Sequence, residues 1–392
     1  MSNNKVLIDI FNIGIKEKKQ DAVCFKLPEL SKIAVVATKN KYAAASVVLS
    51  KYNASKFKSK YILVNSGNAN ACTGKIGMLN AIKCTKSISK KFNCLKENVL
   101  LSSTGIIGKQ LPINKILKSI ENHDFKFKST WKQAASAIMT TDKFSKHVTR
   151  SFLLNKTKIT INAICKGAGM IEPNMATMLS FISINVDLKK PLLLKILKKA
   201  VNSSFNKVSV DGDMSTNDTV MLISTGENKE FNFNTNTKIL KILENELTNV
   251  CHDLSQMIIE DGEGATKIIK ITIHKSYNSL QAKKIAYSLA NSNLIKTAMY
   301  GADPNWGRII ARLGSINNLN YDENKVNLKI NNKIIFENGL QSKKCNLKQL
   351  NKSMMKKNIT IDLYMNSGKD SHTVLTSDLS HEYVHINSAY TT

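Results

Sequence analysis

Apolar and polar residues recur along this chain with two different periods. Short runs rich in β-branched and aromatic residues fall at 31–36, 61–64, 99–101, 158–164, 179–186, 219–224, 267–273, 325–330 and 359–364, and these read as strands. Longer windows repeat apolar residues every three or four positions, at 77–92, 112–122, 131–139, 192–205, 238–259 and 279–299, and these read as helices. The two kinds of element are mixed, without the strict alternation of a doubly wound parallel sheet. The pattern predicts an α+β chain or a layered sandwich. It divides into residues 1–280 and a smaller C-terminal domain over 281–392, with the helical stretch 279–299 as the bridge.

Composition narrows this picture. With 392 residues, 42% of them hydrophobic, the chain is long enough for two domains with ample cores. No window approaches the roughly 18 uninterrupted apolar residues of a membrane span. The first ten residues lack the apolar core of a signal peptide, so a cytoplasmic protein without a membrane segment is expected. Seven scattered cysteines with no Cys-x-x-Cys pair argue against a disulfide framework and against a zinc site. The net charge of +28 points at first to nucleic acid. Yet of 57 basic residues only Arg150, Arg308 and Arg312 are Arg, and the lysines are spread along the whole chain. Phosphate-clamping surfaces favour the guanidinium fork, so no nucleic-acid partner is expected. A Lys-rich nucleic-acid binder stands as the non-enzyme alternative, and the charge still favours anionic small molecules.

The segment most suggestive of chemistry runs from Lys166 to Leu179. Small residues lead through Pro173 and Ala176 to Thr177, which opens an apolar, strand-like run. A Thr at such a junction can attack the carbonyl before it and take the acyl group onto its own oxygen. Hydrolysis of that ester leaves Thr177 as a new N-terminus, whose free α-amine can serve as the base for its own hydroxyl. Such a nucleophile needs oxyanion donors. Thr104 and Gly105, in the run 101–108, offer a hydroxyl and a closely approachable backbone N–H; an ordinary capped turn is the other reading. The loop 64–74 packs three Asn and small residues, either as a pocket wall or as a self-bonded turn. Thr140, Thr141 and Asp142 close a helical run. The stretch 209–218 clusters Asp211, Asp213 and Asp218 with hydroxyls but lacks calcium-loop spacing. Glu263 lies in a glycine-flanked turn able to meet a substrate ammonium. The segment 300–308, with Trp306, reads as a packed corner between domains. No His or Cys constellation with metal-ligand spacing occurs, so no metal is expected.

Together these segments resemble the ornithine acetyltransferase family, the bifunctional glutamate N-acetyltransferases/amino-acid acetyltransferases of arginine synthesis. The resemblance rests on 65–74, 103–108, 140–142, 166–179, 211–213, 261–267, 300–308 and 377–387, in family order. It implies a layered α/β/β/α sandwich of the N-terminal-nucleophile kind. It implies cleavage between Ala176 and Thr177, Thr177 as the acetyl-accepting nucleophile, and Thr104 and Gly105 as the oxyanion pair. Thr140, Lys166, Thr177, Glu263, Asn387 and Thr392 match substrate-contacting positions. The implied reaction moves acetyl from N-acetylornithine to glutamate, with no cofactor, and admits acetyl-CoA as a second donor. Two copies of each fragment are the implied assembly. The enzyme alternative is an amidase or aminopeptidase of the same nucleophile type. Ala168 stands where the family usually has Ser, 37–40 departs from its usual Phe-Thr-Thr-Asn, and the tail lacks the Arg usually found before the last residue.

Overall fold

A computed structural model of the chain describes residues 5–17, 19–172, 178–231, 233 and 236–389. It divides into two compact units. One holds the chain up to Asn206 together with Asp213–Ile258, the other Lys207–Gly212 and the chain from Ile259. In chain order the elements are β1 (Leu7–Phe11), β2 (Ala22–Lys26), β3 (Lys32–Ala37), α1 (Ala45–Lys56), β4 (Tyr61–Asn68), α2 (Gly74–Lys91), β5 (Val99–Ile106), α3 (Ile113–Asn122) and α4 (Trp131–Ala137). There follow β6 (Lys146–Leu154), β7 (Thr157–Lys166), β8 (Leu179–Ile184), α5 (Lys190–Ser203), β9 (Val208–Ser209), β10 (Thr219–Ser224) and α6 (Thr237–Glu260). The remainder are β11 (Ile268–Ser276), α7 (Ser279–Ala290), α8 (Asn293–Tyr300), α9 (Trp306–Gly314), β12 (Asn327–Ile330), β13 (Lys333–Glu337), β14 (Leu340–Gln341), α10 (Leu347–Met354), β15 (Asn358–Tyr364), β16 (Asp370–Ser377) and α11 (His381–Ala389).

Among the described residues the first unit contains two sheets, ordered β1-β2-β4-β5 and β3-β10-β8-β7-β6. Side-chain alternation explains how they stack. Val23, Phe25, Ile62, Val64 and Leu100 of the first sheet share one core with Ile33, Ile164, Phe181, Met221 and Ile223 of the second. Their neighbours Cys24, Tyr61, Leu63, Val99 and Leu101 point the other way, onto Ala81, Cys84 and Ile88 of α2 and Ile116 and Ile120 of α3. On the far side, β6 and β7 meet α6. Arg150 reaches Asp253 at 2.7 Å and Glu246 at 3.3 Å, and Cys165 Sγ approaches the Leu254 carbonyl at 3.9 Å. Helix α5 covers β3 and β10. The unit is therefore a helix–sheet–sheet–helix sandwich, and strands buried on both faces explain the continuous apolar runs in the sequence.

The second unit is built on a sheet ordered β14-β13-β12-β15-β11-β16-β9. Ile271, Ile273, Leu328, Ile361 and Leu363 of its strands pack against Ile285 and Leu289 of α7, Met299 of α8, Ile309 of α9 and Leu350 of α10. The sequence placed the division at 280/281, whereas the compact units part at Ile258/Ile259. Strand β11 pairs in parallel with β15 and antiparallel with β16, so its hydrogen bonds tie it to the C-terminal sheet. The bridge at 279–299 is two helices. Asn291 ends α7 and Ser292 precedes α8, both poor residues for a helix interior. Trp306 opens α9 and lies 5.3 Å from Phe336 of this unit. No helix among the described residues is long and apolar enough to cross a membrane.

Phe181 is fully buried between the two sheets of the first unit, 5.1 Å from the Phe25 ring. Phe181→Ala removes the side chain at the centre of the sandwich and is expected to cost about 3–5 kcal/mol. The shift of the guanidinium midpoint measures it.

Candidate active site

Strands β4 and β5 run in parallel and turn polar within one residue of each other, at Asn65 and at Ser102, which faces Val64. Thr104 is buried at this polar end, and Gly105 follows in a left-handed conformation with φ +127°. A Cβ on Gly105 would lie 2.3 Å from the Gly67 carbonyl carbon and 2.6 Å from the Asn68 nitrogen. Those are backbone atoms that cannot swing aside, so only glycine fits. The pairing is irregular just beyond, with Asn68 facing both Thr104 and Ile106. The Asn side chains of the 64–74 loop are spent on backbone. Asn65 Nδ2 donates to the Asn68 carbonyl at 2.8 Å, Asn68 Oδ1 accepts the Asn70 N–H at 2.8 Å, and Asn70 Nδ2 donates to the Gly77 carbonyl at 3.0 Å. The self-bonded turn is thus what the structure contains, and its effect is to seat Gly67 against Gly105.

A second group gathers where β7 ends. Lys166 Nζ donates to Thr140 Oγ1 at 3.3 Å. Asp142, buried beside them, accepts the Thr140 N–H at 2.9 Å, the Gly167 N–H at 2.7 Å and Lys146 Nζ at 2.7 Å. Burial opposes its charge, but Lys146 and Lys166 outweigh that, and the carboxyl is pulled down to about 2. One carboxylate therefore fixes Thr140 and the residue after Lys166 at the same point. Lys16 joins from the N-terminal loop, donating to Ser66 Oγ and to the Met139 carbonyl, both at 2.6 Å. Burial, with Lys19 and Lys166 adding to it, lowers its pKa, and Asp21 opposes the shift.

The second unit holds its own pair. Asn387 Nδ2 donates to Glu263 Oε2 at 2.9 Å. The turn carrying Glu263 is pinned on both sides. Ser380 Oγ donates to the Gly264 carbonyl at 2.6 Å, and Asp378 accepts the N–H groups of Thr266 and Lys267 at 2.8 and 3.0 Å. Gly264, at φ +67°, would set a Cβ 2.3 Å from the Tyr383 nitrogen, so a glycine is required for α11 to come this close.

The structure thus brings Thr140 and Lys166 together, sets Thr104 and Gly105 at one strand end, and joins Glu263 to Asn387. Ala176, Thr177 and Thr392 lie outside the described residues. Sequence reasoning missed Lys16 and Lys146. Neither left a spacing signal, because the Asp142–Lys146 pair lies outside any helix and Lys16 bonds groups distant in the chain.

A family model described as the ArgJ family matches residues 7–392. The chain belongs to the ArgJ family. It is 37% identical over 388 residues to the "Arginine biosynthesis bifunctional protein ArgJ" of Pseudomonas fluorescens strain Pf0-1, covering 98% of this chain and 96% of that one. It is 39% identical over 385 residues to the protein of that name from Caldanaerobacter subterraneus subsp. tengcongensis, covering 97% and 95%. A crystal structure of arginine biosynthesis bifunctional protein ArgJ from Bacillus halodurans is 28% identical, with a TM-score of 0.49, over 55% of this chain and 100% of that one.

Two outcomes follow for this ArgJ-family site. Gly105→Ala forces a methyl into backbone and is expected to cost about 1–3 kcal/mol, read from the denaturant midpoint, with loss of activity beyond the loss of folded protein. Asp142 titrates near 3.9 when unfolded and at about 2 when folded. Its stabilisation is therefore complete above about pH 4 and is lost as pH falls towards about 2, an effect of about 2 kcal/mol. The stability gap between the parent chain and Asp142→Asn should narrow by that amount between about pH 6 and pH 2.

Proposed function

We propose that this chain cleaves itself between Ala176 and Thr177 and then transfers acetyl from N-acetylornithine to glutamate through an acetyl-Thr177 ester. Family membership across nearly the whole chain supports the class of reaction, an acetyl transfer in arginine biosynthesis. The observation that carries the mechanism is the end of β5. There a buried Thr104 is followed by a glycine that the fold cannot replace, which suits donors aimed at a developing oxyanion.

In the self-cleavage step the Thr177 oxygen adds to the Ala176 carbonyl carbon, and the C–N bond breaks as its nitrogen gains a proton. Water then hydrolyses the ester, leaving a carboxylate on Ala176 and a free amine on Thr177. In transfer, that amine takes the Thr177 hydroxyl proton while the oxygen attacks the acetyl carbonyl. The proton passes to the departing ornithine nitrogen. Glutamate's neutral amine then attacks the acetyl ester, giving N-acetylglutamate and restoring the Thr177 hydroxyl. A terminal amine titrates near 8, and the cationic Lys166 favours its neutral form. Thr140 and Lys166 suit a substrate carboxylate, and Glu263 with Asn387 suits a substrate ammonium. Thr392 belongs to the same proposed set. This scheme uses no cofactor, metal or nucleic acid, and acetyl-CoA fits it as an alternative donor. The same reading places the protein in the cytoplasm, as two copies each of fragments 1–176 and 177–392.

Intact mass after expression should show those two fragments. Thr177→Ala should stay whole and transfer nothing, while Thr177→Ser, which keeps the hydroxyl, should retain some of each activity. Acetyl passing from N-acetylornithine to glutamate above its release into water supports the transferase; release into water alone would make the protein an amidase. Running the assay with acetyl-CoA and glutamate reads the second donor directly.

A further inference from the structure

Two adjacent residues just before β10 reach the strands that this reading depends on. Asn217 Nδ2 donates to the Ser103 carbonyl at 2.8 Å and to the Ala69 carbonyl at 2.6 Å. Ser103 immediately precedes Thr104, and Ala69 follows Asn68, whose nitrogen lies against Gly105. Asp218 Oδ1 accepts the Met178 N–H at 2.8 Å, and Met178 is the residue that follows Thr177. Backbone bonds complete the joint. The Thr219 N–H meets the Met178 carbonyl at 2.9 Å, and β10 continues in parallel with β8 from Thr219 opposite Leu179.

Stability alone does not account for Asp218. It is fully buried, and no group bonds its Oδ2 within hydrogen-bond geometry among the described residues, although the Thr38 side chain helps to hold its charge. Burial pushes its carboxyl well above the usual range, with the Met178 N–H, Lys166 and Thr38 opposing. A buried polar atom left unbonded is costly and calls for a reason. Cleavage before Thr177 supplies one. It turns Thr177 into a chain end whose sole covalent anchor is Met178, and chain ends fray unless they are tied down.

We propose that Asn217 and Asp218 form a clamp that holds the backbone after Thr177 at a fixed distance from Thr104 and Gly105, and are positioning residues for the nucleophile. The proposal rests on Thr177 being that nucleophile. Asn217 grips the oxyanion side through two carbonyls. Asp218 grips the nucleophile side through one N–H. Because the two residues are consecutive, a single peptide unit links the two grips.

The test uses the full-length chain, with Asp218→Ala, Asp218→Asn and Asn217→Ala compared in folded, cooperatively melting preparations. A misplacement of the nucleophile by about 1 Å costs on the order of 100-fold in rate. Asp218→Ala and Asn217→Ala are each expected to lower both the self-cleavage rate and kcat for acetyl transfer by that order, with KM for N-acetylornithine unchanged. Asp218→Asn keeps an acceptor oxygen for the Met178 N–H and is expected to recover most of both rates. If Asp218→Ala does not fold, Asn217→Ala breaks the other end of the clamp and carries the same expectation. Parental kcat in a folded Ala variant, a change confined to KM, or Asp218→Asn as slow as Asp218→Ala would overturn the clamp. A parent chain that stays whole and transfers no acetyl overturns the functional reading instead, so the two failures are told apart.

Discussion

The backbone of β5 passes so close to that of β4 at Gly105 that no side chain fits between them. Much of the first unit follows from that contact. It requires glycine at Gly105 and brings the left-handed Gly67 opposite it, where even the next layer, Ile15, lies within contact of a hypothetical Cβ. Beside it the apolar stretches of the two parallel strands end within one residue of each other, so that Asn65, Ser66, Ser103 and Thr104 gather at one place. Polar groups gathered under two layers of structure must be bonded. Asn65, Asn68 and Asn70 do this from within the loop, while Ser66 Oγ donates to the Ala137 carbonyl at 2.7 Å. Most of this polar end is thus bonded to backbone, with Ser102 Oγ left without a partner among the described residues.

The net charge of +28 is a poor guide to where charge matters. The lysines that shape the interior are few and each has a defined place. In the first unit Lys146 is fully buried against Asp142, and Lys166 lies on Thr140. In the second, Lys296 is buried against Thr376 and Ser377; burial lowers its pKa to about 8 while Asp211 and Asp378 hold it up. Lys267 donates to the Met354 carbonyl at 2.8 Å. Removing either member of the Asp142–Lys146 pair would strand the other in a low-dielectric interior, which makes the pair a constraint on sequence more than a source of stability.

Longer elements with a hydrophobic period were legible, whereas the short apolar strands β1 and β2 and elements that turn polar side chains inward were not. Strands β7, β8 and β10 and helices α2, α3, α5 and α6 lie where the pattern places them, because each buries apolar side chains in a regular order. Helix α1 was missed for a physical reason. Its inward face includes Ser50 and Asn53, which bond the backbone of Leu101 and Val99 on β5. An inward hydroxyl and amide erase the apolar stripe. Strand β6 was missed because it is a sheet edge with exposed polar positions along one side. Thr104, Gly105, Thr140, Lys166, Glu263 and Asn387 were reached through motif resemblance, and the pairs they form were visible only in three dimensions. Lys16 and Asn217 act through long-range bonds to backbone carbonyls, which leave no spacing in a sequence.

The histidines make the same point about the chemistry. Two of the seven spend themselves on hydrogen bonds to structural carboxylates, His123 with Asp9 at 2.9 Å and His274 with Asp362 at 2.8 Å. A nucleophile that carries its own amine needs no imidazole beside it, so the surrounding protein is relieved of supplying a base. What it must supply is geometry: a fixed oxyanion position, a fixed chain end and fixed cations for the substrate. Groups that fix backbone are amides, hydroxyls and buried carboxylates, and those are the residues that crowd Thr104, Lys166 and Met178. On the proposed mechanism the density of backbone-directed side chains in the first unit is therefore itself part of the catalytic apparatus, standing where another enzyme would place a histidine and its partner.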